Sequence, residues 1–149
     1  MNNPDEFTHF VEAQASTYDQ VLRELAAGCK DSHWMWFIFP QLRGLGYSWM
    51  SERYALDSLA QARRYLAHAV LGRRLIECTL LVLNVPDKTS DAIFGYVDSL
   101  KFRSSITLFS MCESSESVFS KALDKYFAGV LDGNTMRLLG LTPKHPQER

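Results

Sequence analysis

Side chains able to move protons or hold an anion gather in two stretches of the chain. The first runs from Lys30 to Ser48 (KDSHWMWFIFPQLRGLGYS) and sets Lys30, His33, Trp36, Gln41 and Ser48 among large apolar residues. The second is DSLKFRSS, with Asp98, Lys101 and Ser105. At about 100° per residue, Asp98, Lys101, Phe102, Ser105 and Phe109 share an arc of roughly 100° on one helix. An acid, an amine and a hydroxyl therefore lie on the face that two phenylalanines should bury. A lone buried charge is costly, so these groups must either pair or face a cleft. A histidine among aromatic rings can titrate near neutrality or hold one fixed hydrogen bond. His33 and Asp98 are thus the candidates for acid–base catalysis, and Lys101 is the candidate anion anchor. Lys30, Trp36, Gln41, Ser48 and Ser105 would line a ligand site beside them.

Each of these residues also has a structural reading. His33 can be a core histidine tied to a backbone carbonyl. Trp34 and Trp36 can be core rings rather than a stacking platform. Asp98 and Lys101 can be an ordinary i,i+3 pair on a helix surface. Gln14 and Gln41 can serve the backbone of the irregular segment. A functional site needs more: two segments some fifty positions apart must meet around a reachable hollow.

The bulk numbers exclude several classes. The chain has 149 residues, 46% of them hydrophobic and 22% charged, with a net charge of −1. That balance builds one packed domain and supplies no excess charge for nucleic acid or an anionic membrane. Arg63-Arg64 and Arg73-Arg74 are only pairs. Cys29, Cys78 and Cys112 are odd in number and widely spaced, as expected of reduced thiols in the cytoplasm. The acidic start MNNPDEFTHF lacks the apolar run of a signal peptide, and no run of ~18 apolar residues could span a membrane. No metal-ligand spacing, P-loop, nucleophile elbow or dinucleotide fingerprint occurs, so neither metal nor cofactor is expected. The GLG at Gly44 to Gly46 is not GxGxxG, and no strand precedes it.

The elements that must position these groups read as helices. Asn3-Pro4-Asp5-Glu6 is a helix start, followed by Phe7, Phe10, Val11 and Gln14 on one face. Ser16-Thr17 restarts a helix with Tyr18, Val21, Leu22, Leu25 and Cys29, and Gly28 is its stop. His33 to Phe39 forms short turns ended by Pro40. Ser51 caps a helix that carries Leu59, Ala62, Leu66 and Ala69. The apolar residues of Leu71 to Asn84 spread widely around the helix, so it should be the most buried one. Thr89 to Phe94 is short and closed by Gly95, and Val97 to about Cys112 follows. After the polar joint Ser114 to Ser117 comes a stripe from Val118 to Val130, and Asp132 or Asn134 caps a last short helix. The class is all-α, with about seven helices of unequal length and no sheet. Residues 1–141 form one domain, and residues 142–149 a flexible polar tail.

The chain resembles the domain-of-unknown-function family 1810, small helical proteins that are mostly bacterial. The likeness rests on FVEAQ, GCKDSHWMWFIFPQL, GLGYS, LGRRL and IFGYVDSLKFRSSITLF, and covers Phe10 to about Leu139. The family usually has Glu where Gln61 stands, so Gln61 is left out of the site. The resemblance implies an all-helical fold and no established activity. Some members carry the label calpastatin, which a packed domain does not suit, because calpastatins are long and disordered.

Three functions follow from the residues. One is binding of a small polar, anionic or nucleotide-like ligand, with metal-free hydrolysis or group transfer as its catalytic form. The second is a protein-interaction module with no identified partner. The third is a polar lock that only holds the irregular segment in place.

Overall fold

Helix-forming sequence divides where a residue can cap or break a helix, and the backbone follows most of those divisions. The computed structural model describes residues 6–113 and 117–141. Within them run α1 (Thr8–Ala15), α2 (Tyr18–Ala26), α3 (Met35–Ile38), α4 (Trp49–Arg53), α5 (Leu59–Ala67), α6 (Leu71–Leu83), α7 (Ser90–Phe94), α8 (Tyr96–Ser110), α9 (Val118–Phe127) and α10 (Gly133–Leu138). The Asn3-Pro4-Asp5 start, most of the Ser114–Ser117 joint and the tail 142–149 lie outside the described residues.

Among the described residues the fold is all-helical without a sheet, but it has ten helices rather than about seven. One reason is local to residues 51–69, which read as a single helix. Leu56 N–H donates to the Gln41 carbonyl at 3.0 Å and Arg43 N–H to the Leu56 carbonyl at 2.8 Å. This isolated parallel bridge between Leu42 and Leu56 pulls the chain straight and buries Leu56 completely. The segment therefore splits into α4 and α5, although no Gly or Pro marks the break. The cap also moves. Ser48, not Ser51, is the N-cap of α4, its hydroxyl accepting from Ser51 N–H. Ser58 likewise caps α5.

The most buried helix is α8, not α6. Its Ser104–Ser110 run is buried without interruption, whereas α6 leaves Leu80 43% exposed. Four of those seven α8 residues carry hydroxyls, which look polar in sequence. Ser104 and Ser110 return their hydroxyls to the carbonyls of Leu100 and Thr107, and Thr107 accepts from Asp132 N–H. A hydroxyl bonded within its own helix can be buried at little cost. α8 packs against α3, α5, α7, α9 and α10, so it is the axis of the molecule. Phe102 stacks on Phe94 at 4.7 Å and meets Phe39 edge-on at 5.0 Å, which joins α8 to α7 and to the end of α3. Further along α8, Phe109 contacts Tyr65 of α5 and Phe119 of α9.

Two glycines enforce close geometry. Gly95 has φ +85° and ψ 159°, a conformation that is essentially glycine's alone, and it turns α7 directly into α8. Gly72, in LGRRL, lies where a Cβ would meet the Leu66 carbonyl oxygen at 1.9 Å, so α5 and α6 can approach only there without a side chain. At the other end of the chain, the Val118–Val130 stripe stops early: α9 ends at Phe127, and Val130 is 54% exposed.

Candidate functional site

The loop that carries Lys30 to Trp34 is held by a residue that sequence patterning did not single out. α2 closes with Gly28 N–H on the Leu25 carbonyl and Cys29 N–H on the Glu24 carbonyl, the paired bonds of a Schellman stop. The Glu24 side chain then turns under the loop. Its carboxylate accepts Asp31 N–H at 2.7 Å, Ser32 N–H at 3.0 Å and the Trp34 indole N–H at 2.9 Å. The Ser32 hydroxyl and the Gln20 amide donate to it as well. Burial pushes this carboxyl up, but the donors from Ser32, Asp31 and Gln20 outweigh it and bring it down to about 2. Glu24 is thus an anion at neutral pH, and the loop folds around it. Gln14 acts nearby, donating to the Phe37 carbonyl at 2.7 Å.

Above this lock, the two stretches singled out in sequence meet. Lys30 Nζ lies 2.8 Å from Asp98 Oδ2, and Lys101 Nζ lies 3.2 Å from Asp98 Oδ1. Burial raises the Asp98 carboxyl, and hydrogen bonds and charge from Lys30, then Lys101, hold it below the usual carboxylate range. Lys30 is committed to the protein: its side chain is 8% exposed, and its ammonium donates to the Ser32 carbonyl at 2.6 Å and lies 5.1 Å from the Trp34 ring centroid. Lys101 is freer. It lies 5.0 Å from the Trp36 ring centroid and has a single hydrogen bond, to Asp98, among the described residues.

Lys101 stands on the wall of a cavity of about 320 Å³ between the 41–51 segment and α8. One side is Gln41, Leu45, Gly46 and Ser51; the other is Val97, Leu100, Lys101 and Ser104; Asp132 and Asn134, at the start of α10, close the end. Gln41, Ser51 and Lys101 also border a narrow inner chamber of about 10 Å³, whose remaining walls are Trp36, Phe39 and Tyr54. The Trp36 Nε1–H is buried and has no acceptor among the described residues.

The structure therefore gathers Trp36, Gln41 and Lys101 at one hollow, with Asp98 and Lys30 behind Lys101. It places the other expected residues elsewhere. His33 is exposed on the loop and lines neither the cavity nor the chamber. Ser48 is exposed and caps α4. Ser105 is fully buried, its hydroxyl without a partner among the described residues, while its neighbour Ser104 reaches the cavity. Ser51, read from sequence as a cap, is a wall residue instead. Asp132 and Asn134 were legible only as helix caps. Gln61 has a structural task, accepting from Asp57 N–H and donating to Glu6.

Among the described residues, two of the three wider and shallower clefts elsewhere carry arginine. One, of about 580 Å³, has Thr8, His9, Glu12, Trp49, Glu52 and Arg53. His9 stacks on Tyr54 there, and burial together with the Arg53 charge lowers its pKa. The other, of about 630 Å³, runs along α6 beside Tyr18 and Arg74. No group of His, Cys, Asp and Glu among the described residues could hold a metal ion. No described helix is long and apolar enough to cross a membrane.

Fold and cavity together define a small all-helical protein with a lysine-anchored hollow on its central helix. The chain belongs to the family described as protein of unknown function DUF1810, whose model matches residues 4–139. It is similar to the conserved hypothetical protein Rv1873 from Mycobacterium tuberculosis, known from a crystal structure: 47% identical, covering 94% of this chain and 100% of that one, with a TM-score of 0.90. No curated protein matches it.

Proposed function

We propose that this chain binds a small polar anion, sugar-phosphate-like or nucleotide-like, in the cavity between the 41–51 segment and α8. Lys101 carries the reading. It is a half-buried ammonium on the wall of a hollow, steadied from behind by Asp98 and left with donors to spare. Asp98 and Lys30 are positioning residues, while Gln41 and Ser51 supply neutral hydrogen-bonding groups and Leu45, Val97 and Leu100 an apolar wall. The catalytic form of the reading pairs His33 with Asp98 for metal-free hydrolysis or transfer. Binding is favoured over that chemistry, because a carboxylate held low by two ammonium groups is a weak proton acceptor. Three free thiols, Cys29 of them exposed, support a reducing, cytoplasmic setting.

A second reading, a docking surface for another protein, draws on exposed Tyr47, Trp49, Tyr96 and Val97. Tyr47 and Tyr96 directly adjoin cavity residues Gly46 and Val97 in the chain, so a partner there would cover the hollow.

Thermal-shift and calorimetric titration with nucleotides, sugar phosphates and ADP-ribose-type compounds tests the main reading. At least one class should stabilise the wild type. Lys101→Ala should weaken that ligand roughly tenfold or more while keeping a nearly unchanged melting temperature. His33→Ala should bind normally; loss of binding there would favour the catalytic form. Stabilisation by no compound, together with unfolding of Lys101→Ala, would leave only the polar lock.

A further inference from the structure

The inner chamber is lined by hydrogen-bond donors and holds no carboxylate. Trp36 offers an indole N–H, Lys101 an ammonium, Gln41 an amide and Ser51 a hydroxyl. The hydroxyl is already shared with Ser48, and the ammonium has one of its three protons on Asp98. The indole proton has no acceptor among the described residues and is shut away from bulk solvent. Leaving a buried donor unmet is costly, so such groups normally find an acceptor. The same fold does provide an acceptor for a buried indole elsewhere, since Trp34 donates to Glu24 at 2.9 Å. At about 10 Å³ the chamber has room for one oxygen atom, the size of a single water. It shares Gln41, Ser51 and Lys101 with the larger cavity, which can hold a body of sugar size.

Resting on the binding reading above, we propose that the chamber is the seat for a terminal oxyanion of the ligand. One oxygen of a carboxylate or phosphate enters it and accepts from Trp36 Nε1–H and Lys101 Nζ together. The hydroxylated body remains outside, between Ser104 and Asn134 on one hand and Leu45 and Leu100 on the other. The ligand class is therefore a compact polyhydroxy molecule ending in an acidic group. A neutral sugar leaves the lysine and the indole unanswered, and a molecule whose charge is flanked by bulk on every side cannot reach them.

The test uses protein with ¹⁵N-labelled tryptophan, in which three indole N–H signals report on Trp34, Trp36 and Trp49. Ribose 5-phosphate, glucuronate and neutral glucose are titrated in turn. The Trp36 signal should move downfield with one or both acids, the Trp34 signal should stay, and glucose should do nothing; the two acid arms distinguish phosphate from carboxylate. Trp36→Phe keeps an aromatic ring beneath Lys101 and deletes only the donor; it should weaken the acid roughly tenfold. Binding of an acid with an unmoved Trp36 signal and an unaffected Trp36→Phe would overturn the oxyanion seat and leave the binding site standing. Equal binding of glucose would overturn it too. If neither acid binds the wild type, or if binding ignores Lys101→Ala, the seat falls; should the wider compound panel also fail, the site falls with it.

Discussion

Glu24 shows how one carboxylate can organise a segment that has no regular structure. Five donors converge on it, two of them backbone amides of the loop and one the indole of Trp34. Its folded pKa of about 2 lies below the ordinary 4.5, so its contribution to stability has a definite pH window. Above 4.5 it is ionised whether the chain is folded or not, and the contribution is complete. As pH falls from 4.5 toward 2, the unfolded chain takes up a proton that the folded chain refuses, and the contribution drains away. The full amount is about 3 kcal/mol. Glu24→Gln should therefore lower the free energy of urea unfolding by roughly that much at neutral pH, and the gap to wild type should close across this window. A constant gap at all pH values would show that the carboxylate acts through packing alone. Asp98 differs in kind. Its partners are two lysine ammoniums rather than a loop backbone.

Among the elements, the contacts that set the cavity are made by backbone as much as by side chains. The Leu42–Leu56 bridge holds the 41–51 segment against the rest of the chain, and Gly95 fixes where α8 begins. Gly72 lets α6 touch the end of α5, which itself packs against α8. Gly72→Ala should cost about 3 kcal/mol, because the atom in the way is a carbonyl oxygen of the backbone and cannot rotate aside. For a chain of this size that is a fall of roughly 6–12 °C in melting temperature, readable by circular dichroism. Gly46→Ala is a different case. Its Cβ would lie 2.5 Å from Ser51 Oγ, inside the cavity wall, so the variant should lose ligand more than it loses stability. Calorimetric titration beside a melting curve separates the two effects.

Across the whole molecule, α8 passes from a half-exposed polar start at Asp98 and Lys101 to a sealed second half at Ser104 to Ser110. The cavity lies at its open end and the aromatic core around its closed end, so one helix joins site and core. Hydrogen exchange should follow this gradient. Amides of Ile106 to Ser110 should exchange only on global unfolding, while those of residues 43–53, on exposed turns and the five-residue α4, should exchange far sooner. Addition of the ligand should slow the second group selectively. Fast exchange in the second half of α8 would mean that the helix is not the structural axis.

Apolar spacing and turn residues were enough to mark the helical class, the stops at Gly28 and Gly95, and the two stretches that meet at Lys101 and Asp98, because helix periodicity and backbone preferences act over a few neighbours. The break at Leu56, the burial of the hydroxyl-rich half of α8, the exchange of roles between Ser48 and Ser51, and the exposure of His33 were decided only in three dimensions. Each depends on a partner far along the chain: the Gln41–Arg43 backbone for Leu56, Asp132 for Thr107, Lys101 for the cavity that Ser51 borders. A sequence records which groups can bond. Which of them are left facing a hollow, as Trp36 Nε1 is, follows from how the packed helices close around it.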